Sequence, residues 1–505
     1  MSKSILHTAA LRTLLIYGFS LGFAVNLPAR TMYLSTTGDD SSPVQAGAEF
    51  RTLNRALNSL VAGDTLVIRN GTYQGGLIVS LKGTAEAPIM IQGESLEAVI
   101  QGSVNKLDAV RLDSSRYVYV DRITARDADR GGLGIIHCHH ITVTNGRFAD
   151  NGLWGIFTGY ADDVRFEGNE CYGSKEQHGI YHSNSGDRFI IRGNLVHNNS
   201  GCGIHMNGDP EMPGGDGVLN MGLVEDNIIY DNGQPGGGAG INMTHVQDII
   251  VRNNVIYNNY AGGFTFYQDN GTFEQGSKRA LIMGNTVYFK QFRGDRNIVN
   301  IAPTSEKVLI AGNILVSDGV GAVEQIDSDH LSTIASDYNV FWGIDETKMF
   351  EKKSVSTSLK NWQLATKNDR HSLVADPQFV DIVSADFSLD STSKAVDAGM
   401  PMDSVRAVLG RLGGFDWILS RLDSIPDEDI RHVRRPVGAA PDVGAYERVI
   451  LYDFNGDGIL SVADAVALII LSFEKPEDSR LDVSGDGIYT IADVIQVLRL
   501  ILQKS

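Results

Sequence analysis

Four histidines and a tyrosine crowd the stretch from Gln177 to Asp209, QHGIYHSNSGDRFIIRGNLVHNNSGCGIHMNGD. The phrase Gly179-Ile180-Tyr181-His182 returns as Gly203-Ile204-His205-Met206. Further Gly-led runs start at Gly134, Gly155, Gly240 and Gly263. Side chains alternate across a strand. The residue after each Gly is Ile or Phe, so it and the third residue face inward: His137, Thr158, His182, Met206, Met243 and Phe266. The outward column is then Ile136, Phe157, Tyr181, His205, Asn242 and Thr265, and beside it run Ser183, Asn207, Thr244 and Tyr267. Such a polar and aromatic column suits an extended chain such as a polysaccharide.

Removing a proton beside a carboxylate and expelling an oxygen needs a base, a neutraliser and a proton donor. His205 supplies a base and Tyr181 or Tyr267 an acid. Asn242 neutralises the carboxylate, or else a calcium held by Asp209, Glu211 and Asp216 does so. Asn207 lies against the same surface, with His178, Lys175 and Arg188 as supports. His182, on the inward column, reads as a hydrogen-bonded core histidine, and His139 and His140 as polar turn residues. Hydrolysis of a sugar bond, which needs paired carboxylates, and binding without chemistry are the alternatives.

Stacked strands must position this column. From Tyr117 an alternating apolar strand ends on Asn at positions 145, 169, 194, 227, 254, 285 and 313, with a weaker match at Asn339. Steps of 24 to 33 residues suit three short strands and three turns per coil. The fold class that follows is all-β: a right-handed parallel β-helix with a small α-helical C-terminal module. Asn at one turn of successive coils stacks as a ladder about 4.8 Å apart. A leucine-rich horseshoe has a similar period, but its Leu spacing is missing. The longer steps place insertions at 208–217, 233–238 and 269–279, on consecutive coils that form one rim. The stretch Phe50–Leu60 has helical periodicity, as does Ser404–Arg431.

The ends differ from the body. Lys3 and Arg12 precede an apolar run from Leu14 to Val25, the pattern of a secretory signal cleaved near Ala24 or Ala29. This divides the chain into a signal at 1–29, a β-helix with its N-terminal cap at 30–344, a closing segment at 345–448 and a module at 449–505. The mature chain is then exported, with no membrane span. A net charge of −18 speaks against a nucleic-acid partner. Cys138, Cys171 and Cys202 are too few and too scattered for a disulfide framework and read as buried apolar residues. The chain is expected to be monomeric.

In the module, Asp453-Phe454-Asn455-Gly456-Asp457-Gly458-Ile459 closes on Asp464, and 29 residues later Asp482-Val483-Ser484-Gly485-Asp486-Gly487-Ile488 closes on Asp493. Oxygen side chains at the first, third, fifth and twelfth positions, with Gly at the sixth, make calcium loops of the EF-hand kind. Ile459 and Ile488 ligate through their backbone carbonyls. Two such loops, each closed by Asp and followed by an apolar helix, resemble a type I dockerin. The resemblance covers about fifty residues and implies two bound calcium ions and a cohesin-like scaffold partner. Val462-Ala463 and Ile491-Ala492 depart from the family where cohesin is read, so packing on the same chain is the alternative. Gly63-Asp64-Thr65, Gly71-Thr72-Tyr73 and Ala87-Pro88-Ile89-Met90-Ile91-Gln92-Gly93 resemble the opening of right-handed parallel β-helix proteins of the pectin-lyase-like kind. Asp376–Asp381, Ala395–Gly399 and Pro441–Glu447 resemble their closing segment. That likeness implies a secreted carbohydrate-active protein, with a polysaccharide lyase or an O-glycosyl hydrolase as the activity. The Asp-His strand motif of pectate lyases is missing.

Overall fold

A computed structural model describes residues 29–102, 107–233, 237–289, 297–317, 323–327, 329–343, 345–352, 355–449, 452–455, 460–475, 481–483 and 488–504. The N-terminal apolar run and the calcium-loop residues Asp457, Ile459, Ser484 and Asp486 lie outside them.

Among the described residues the body winds as a parallel coil with three faces, which form sheets of 14, 12 and 12 strands. Successive coils pair in parallel along each face, as in Ile180↔Ile204↔Ile241↔Phe264↔Val299. These five side chains are fully buried and form one rail of a core that runs the length of the coil. Each such aliphatic side chain contributes about 1.5–3 kcal/mol on burial. The leading glycines keep two corners in close approach. A Cβ on Gly203 would lie 2.4 Å from Ile229 Cγ2 and 2.9 Å from the Gly240 carbonyl oxygen.

The asparagine ladder runs from Asn169 through Asn194, Asn227, Asn254, Asn285 and Asn313 to Asn339. Each residue gives its backbone N–H and its side-chain Nδ2 to the Oδ1 of the next, at 2.9–3.1 Å. Asn339 is thus a full rung, whereas Asn145 is not one. Asn145 sits at φ 53° in the position just before the ladder, and Gly146 donates to Asn169 Oδ1 at 2.9 Å. Gly168, Gly193, Asp226 and Asn253 hold the same left-handed position on later coils. Asn serves both places, because its short side chain tolerates that conformation. A second, shorter ladder joins Asn199, Asn232 and Asn259 at the next corner.

Both ends of the coil are covered, which an unpaired sheet edge requires. Helix α1 (Leu53–Leu57) turns Leu53, Ala56 and Leu57 onto the first coil. Pairing continues past residue 344, through Phe350 on one face to Leu373–Val374 on another. The last coil therefore takes in the start of the expected closing segment. Helix α2 (Leu359–Thr366) closes it with Trp362, stacked 5.4 Å from Phe350. Beyond it, Ala395 and Val443 pack against Ile314 and Val316, and Gly444 donates to Gly312 O, so this segment runs back along the last coils. The helical stretch is a pair, α3 (Met402–Leu412) and α4 (Asp416–Leu422). It covers Leu223, Ile250, Leu281 and Leu309, which face outward from the 14-stranded sheet. In the C-terminal module α5 (Val462–Glu474) and α6 (Ile491–Lys504) share a small core of Ala465, Leu468, Val494 and Val497.

A stack of aromatic rings lies on the outside of the coil. Tyr172, His197, Tyr230 and Tyr257 stack at 4.8–5.0 Å, with their planes within 7° of one another.

Candidate functional site

The outward column stands on the face made by Trp154–Gly159, Ile180–Asn184, Ile204–Gly208, Ile241–Thr244 and Phe264–Tyr267. Register places Phe157, Tyr181, His205, Asn242 and Thr265 side by side, with Gly159, Ser183, Asn207, Thr244 and Tyr267 as the neighbouring line. One coil earlier the alignment differs. Gly134, not Ile136, pairs with Phe157, and Ile135 takes the inward place beside Thr158. His137 is therefore outside the core, in a turn at φ 50°, stacked on Tyr160. A slip of two residues leaves inward and outward unchanged, so alternation cannot detect it.

The column is more enclosed than an open surface. Phe157, Asn242 and Thr265 are buried, and Tyr181, His205, Asn207 and Tyr267 are half-buried. Trp154 extends the aromatic floor, 4.2 Å from Phe157 and 5.7 Å from Tyr181, and gives its indole N–H to Gln177. Arg130 lies 5.3 Å over the Trp154 ring. Sequence reasoning passed over Trp154, although it stands one residue before a strand-leading Gly.

Two amide–phenol pairs mark the site. Asn207 Nδ2 donates to Tyr181 Oη at 3.1 Å, and Asn242 Nδ2 donates to Tyr267 Oη at 3.1 Å. The first reaches back one coil and the second reaches forward one coil. Burial pushes the Tyr181 phenol up, opposed in part by the Asn207 hydrogen bond, so it stays protonated at neutral pH. Tyr181 stacks on His205 at 5.1 Å.

His178 comes to the column from the preceding corner. The Cys202 backbone N–H donates to His178 Nδ1 at 2.9 Å, and His178 Nε2 lies 3.0 Å from His205 Nδ1. Burial depresses His178 to about 4 and, with His178 beside it, holds His205 well below the ordinary histidine range. Both rings are neutral at pH 7. His205 Nε2 is shielded from solvent with no acceptor in hydrogen-bond reach. His182 is a core residue, 2.6 Å from Thr158 Oγ1.

Other expected members are elsewhere. Arg188 grips Asp163 with two hydrogen bonds of 2.7 and 3.0 Å, beside His137, His139 and Tyr160 at a different corner. Lys175 is exposed in the turn before His178, its carbonyl accepting from Ser200. Asp209, Glu211 and Asp216 do not converge: Asp209 and Asp216 accept from backbone N–H groups within their own loop, and Glu211 is exposed. The described residues gather one group with metal-ligand spacing, His178, Cys202 and His205, whose ligand atoms lie within 4.8 Å. Nitrogen and sulfur are poor donors for calcium, which takes oxygen, so these residues do not fit that ion on this face. None of the three cysteines forms a disulfide, and all are buried.

Two of the three expected insertions meet beside the site. The loops after Gly208 and after Tyr267 are joined, since Gln275 Nε2 donates to Asp216 O at 2.8 Å. His245 anchors the second loop through Gln275 O and Asp269. The expected insertion at 233–238 falls partly outside the described residues and comes before the strand Ile241–Thr244.

In the module, the Asp464 carboxylate accepts from Phe454, Asn455 and Ser461 N–H groups, and Asp493 accepts from Thr490. The oxygens of Asp453, Asn455, Asp464, Asp482 and Asp493 are of the kind a calcium ion takes, so the donor set fits.

Residues 73–213 match the family model of the right-handed β-helix region. The uncharacterized protein YwoF of Bacillus subtilis (strain 168) is 27% identical over 452 residues, covering 72% of this chain and 92% of the relative. The crystal structure of pectate lyase Pel9A superposes with a TM-score of 0.54 at 14% identity, over 84% of this chain and 98% of that one. The likeness is one of fold. Among the described residues no helix is long and apolar enough to cross a membrane.

Proposed function

We propose that this chain binds an acidic polysaccharide along the groove over Tyr181, His205, Asn242 and Tyr267 and cleaves it by β-elimination at a uronic acid. The observation that carries this reading is the pair of phenols, each receiving an asparagine amide, on either side of His205. Tyr267, whose Oη is held by the Asn242 N–H, acts as the base. It takes the C5 proton as the bond from C4 to the leaving oxygen breaks and the C4–C5 double bond forms. Tyr181, kept protonated by burial, gives its proton to that oxygen. Amide N–H groups and the neutral His205 supply donors to the carboxylate, whose charge builds up in the transition state.

Hydrolysis is the weaker reading. It needs two carboxylates facing the bond, and the floor from Phe157 through Tyr181, His205, Asn242 and Thr265 to Asn300 holds none. An acid-free floor also suits an anionic polymer. The likeness to a protein titled a pectate lyase agrees with this substrate class. Export, two calcium ions in the C-terminal module, and docking of that module to a cohesin-like scaffold belong to the same proposal.

The test is incubation with polygalacturonate, alginate and other polyuronates while following the ultraviolet absorbance of the unsaturated product. A rise on one of them is expected. New reducing ends without that absorbance would mean hydrolysis, and binding without either would mean a non-catalytic glycan-binding protein.

A further inference from the structure

Hydrogen bonds decide which histidine nitrogen can do what. A backbone amide only donates, so the Cys202 N–H requires a lone pair on His178 Nδ1. A neutral imidazole carries one proton, which therefore sits on His178 Nε2. That nitrogen faces His205 Nδ1 at 3.0 Å, so His178 donates and His205 Nδ1 accepts. The proton of the neutral His205 is left on Nε2, the nitrogen with no acceptor. The chain of donation runs one way, from a backbone group that cannot reverse it.

We infer that His178 is a positioning residue that fixes His205 as a hydrogen-bond donor, so that His205 recognises the sugar carboxylate and does not abstract its proton. A buried, unmatched N–H is costly, and a carboxylate oxygen is a strong acceptor for it. Tyr181, stacked on the ring, and Asn242, one coil on, are the neighbours of His205 along the column. The same protons argue against a metal at His178, Cys202 and His205, since ligation needs nitrogen lone pairs that the chain has already committed. This inference rests on the acidic-polysaccharide reading for its ligand, though not for its tautomers.

The experiment has a ligand-free arm and a ligand arm, both on the full chain. Nitrogen NMR of histidine-labelled protein should show His205 with a protonated Nε2 and a bare Nδ1, and His178 likewise. A His205 carrying its proton on Nδ1 overturns the inference, as does stoichiometric zinc binding lost in His178→Ala. In the ligand arm, His178→Gln still accepts from Cys202 and donates to His205, whereas His178→Glu can only accept and turns the His205 proton inward. His178→Gln is expected to hold trigalacturonate or trimannuronate, whichever binds the parent, within about threefold, and His178→Glu to weaken it by roughly tenfold or more. Activity of His178→Glu at or above that of the parent would make His205 a base and sink the idea. If no polyuronate binds the parent, the substrate reading fails while the tautomer result stands.

Discussion

Replacing Asn232 by Leu tests whether the second ladder holds the coil that carries the site. Asn232 Oδ1 accepts the Asn199 backbone N–H at 3.1 Å and its Nδ2 at 2.8 Å, and Asn232 Nδ2 donates to Asn259 Oδ1 and to Val196 O. Leu keeps the volume but none of these bonds. Asn199 Nδ2 retains Cys171 O and His197 O, and Asn259 Oδ1 retains the Asn232 N–H. The group stranded is the Asn199 backbone N–H, on a fully enclosed residue, whereas the Val196 carbonyl keeps its place in the parallel ladder against Ile228–Tyr230. At about 1–3 kcal/mol for a buried unsatisfied group, that is the local cost. Solenoids open by neighbouring repeats rather than all at once, so the assay must be local. Amide exchange of the peptides spanning 195–206 and 228–233 should quicken roughly 5- to 150-fold, at about 1.4 kcal/mol per factor of ten. Peptides from the first coils, 65–93, should be unaffected. Exchange at Asn199 within about threefold of the parent would refute the reasoning, because water or a backbone shift would then be replacing the ladder at little cost.

Tyr267→Phe and Tyr181→Phe should each cut turnover on a cleavable polyuronate by roughly 100-fold or more with little change in secondary structure by circular dichroism. Asp457→Ala with Asp486→Ala should abolish calcium binding by calorimetry, about two ions in the parent, and chelation should lower the helical signal of α5 and α6. His182, pushed down from 6.5 to about 3 by burial, stays neutral when folded. Its contribution is complete above pH 6.5 and is lost progressively as pH falls toward 3, so the acid side of a thermal-stability profile should flatten in His182→Met. Glu225 lies between Arg192 and Arg252, and these ion pairs hold its carboxyl below the usual range against burial. Its stabilisation is present above the ordinary carboxylate range and lost below it. Glu225→Gln should lower stability at pH 7 by about 3 kcal/mol, because Arg252 is left enclosed without its ion-pair partner.

Much of the fold was legible because its signals repeat. Gly-led alternating runs set the register of five coils, from Phe157 to Thr265, and the recurring Asn set the corner. The first coil slipped by two, since Gly134-Ile135-Ile136 and Ile136-His137-Cys138 present the same parity. The second ladder was also in the sequence: Asn199, Asn232 and Asn259 each follow a first-ladder Asn by five residues. It was hidden because Asn198 and Asn258 stand beside two of them, and turn asparagines look alike. Tyr181, His205, Asn207, Asn242 and Tyr267 could be set on one face because strands fix direction. The role of His178 was out of reach, since it depends on where a corner carries a side chain relative to the next coil's Cys202 amide. Arg188 and the acidic loop were misplaced for the same reason: chain proximity at a corner does not say which face a residue joins.

The stacked rings of Tyr172, His197, Tyr230 and Tyr257 give the molecule a built-in optical gauge. Chromophores held parallel one coil apart couple their transitions, and the coupling falls steeply with separation and tilt. The near-ultraviolet dichroism of Tyr230 and Tyr257 therefore reports the spacing of neighbouring coils, on the face that shares its corner with the candidate site. Loosening between the coils would show as a change in that spectrum without any label, even where total strand content stayed the same.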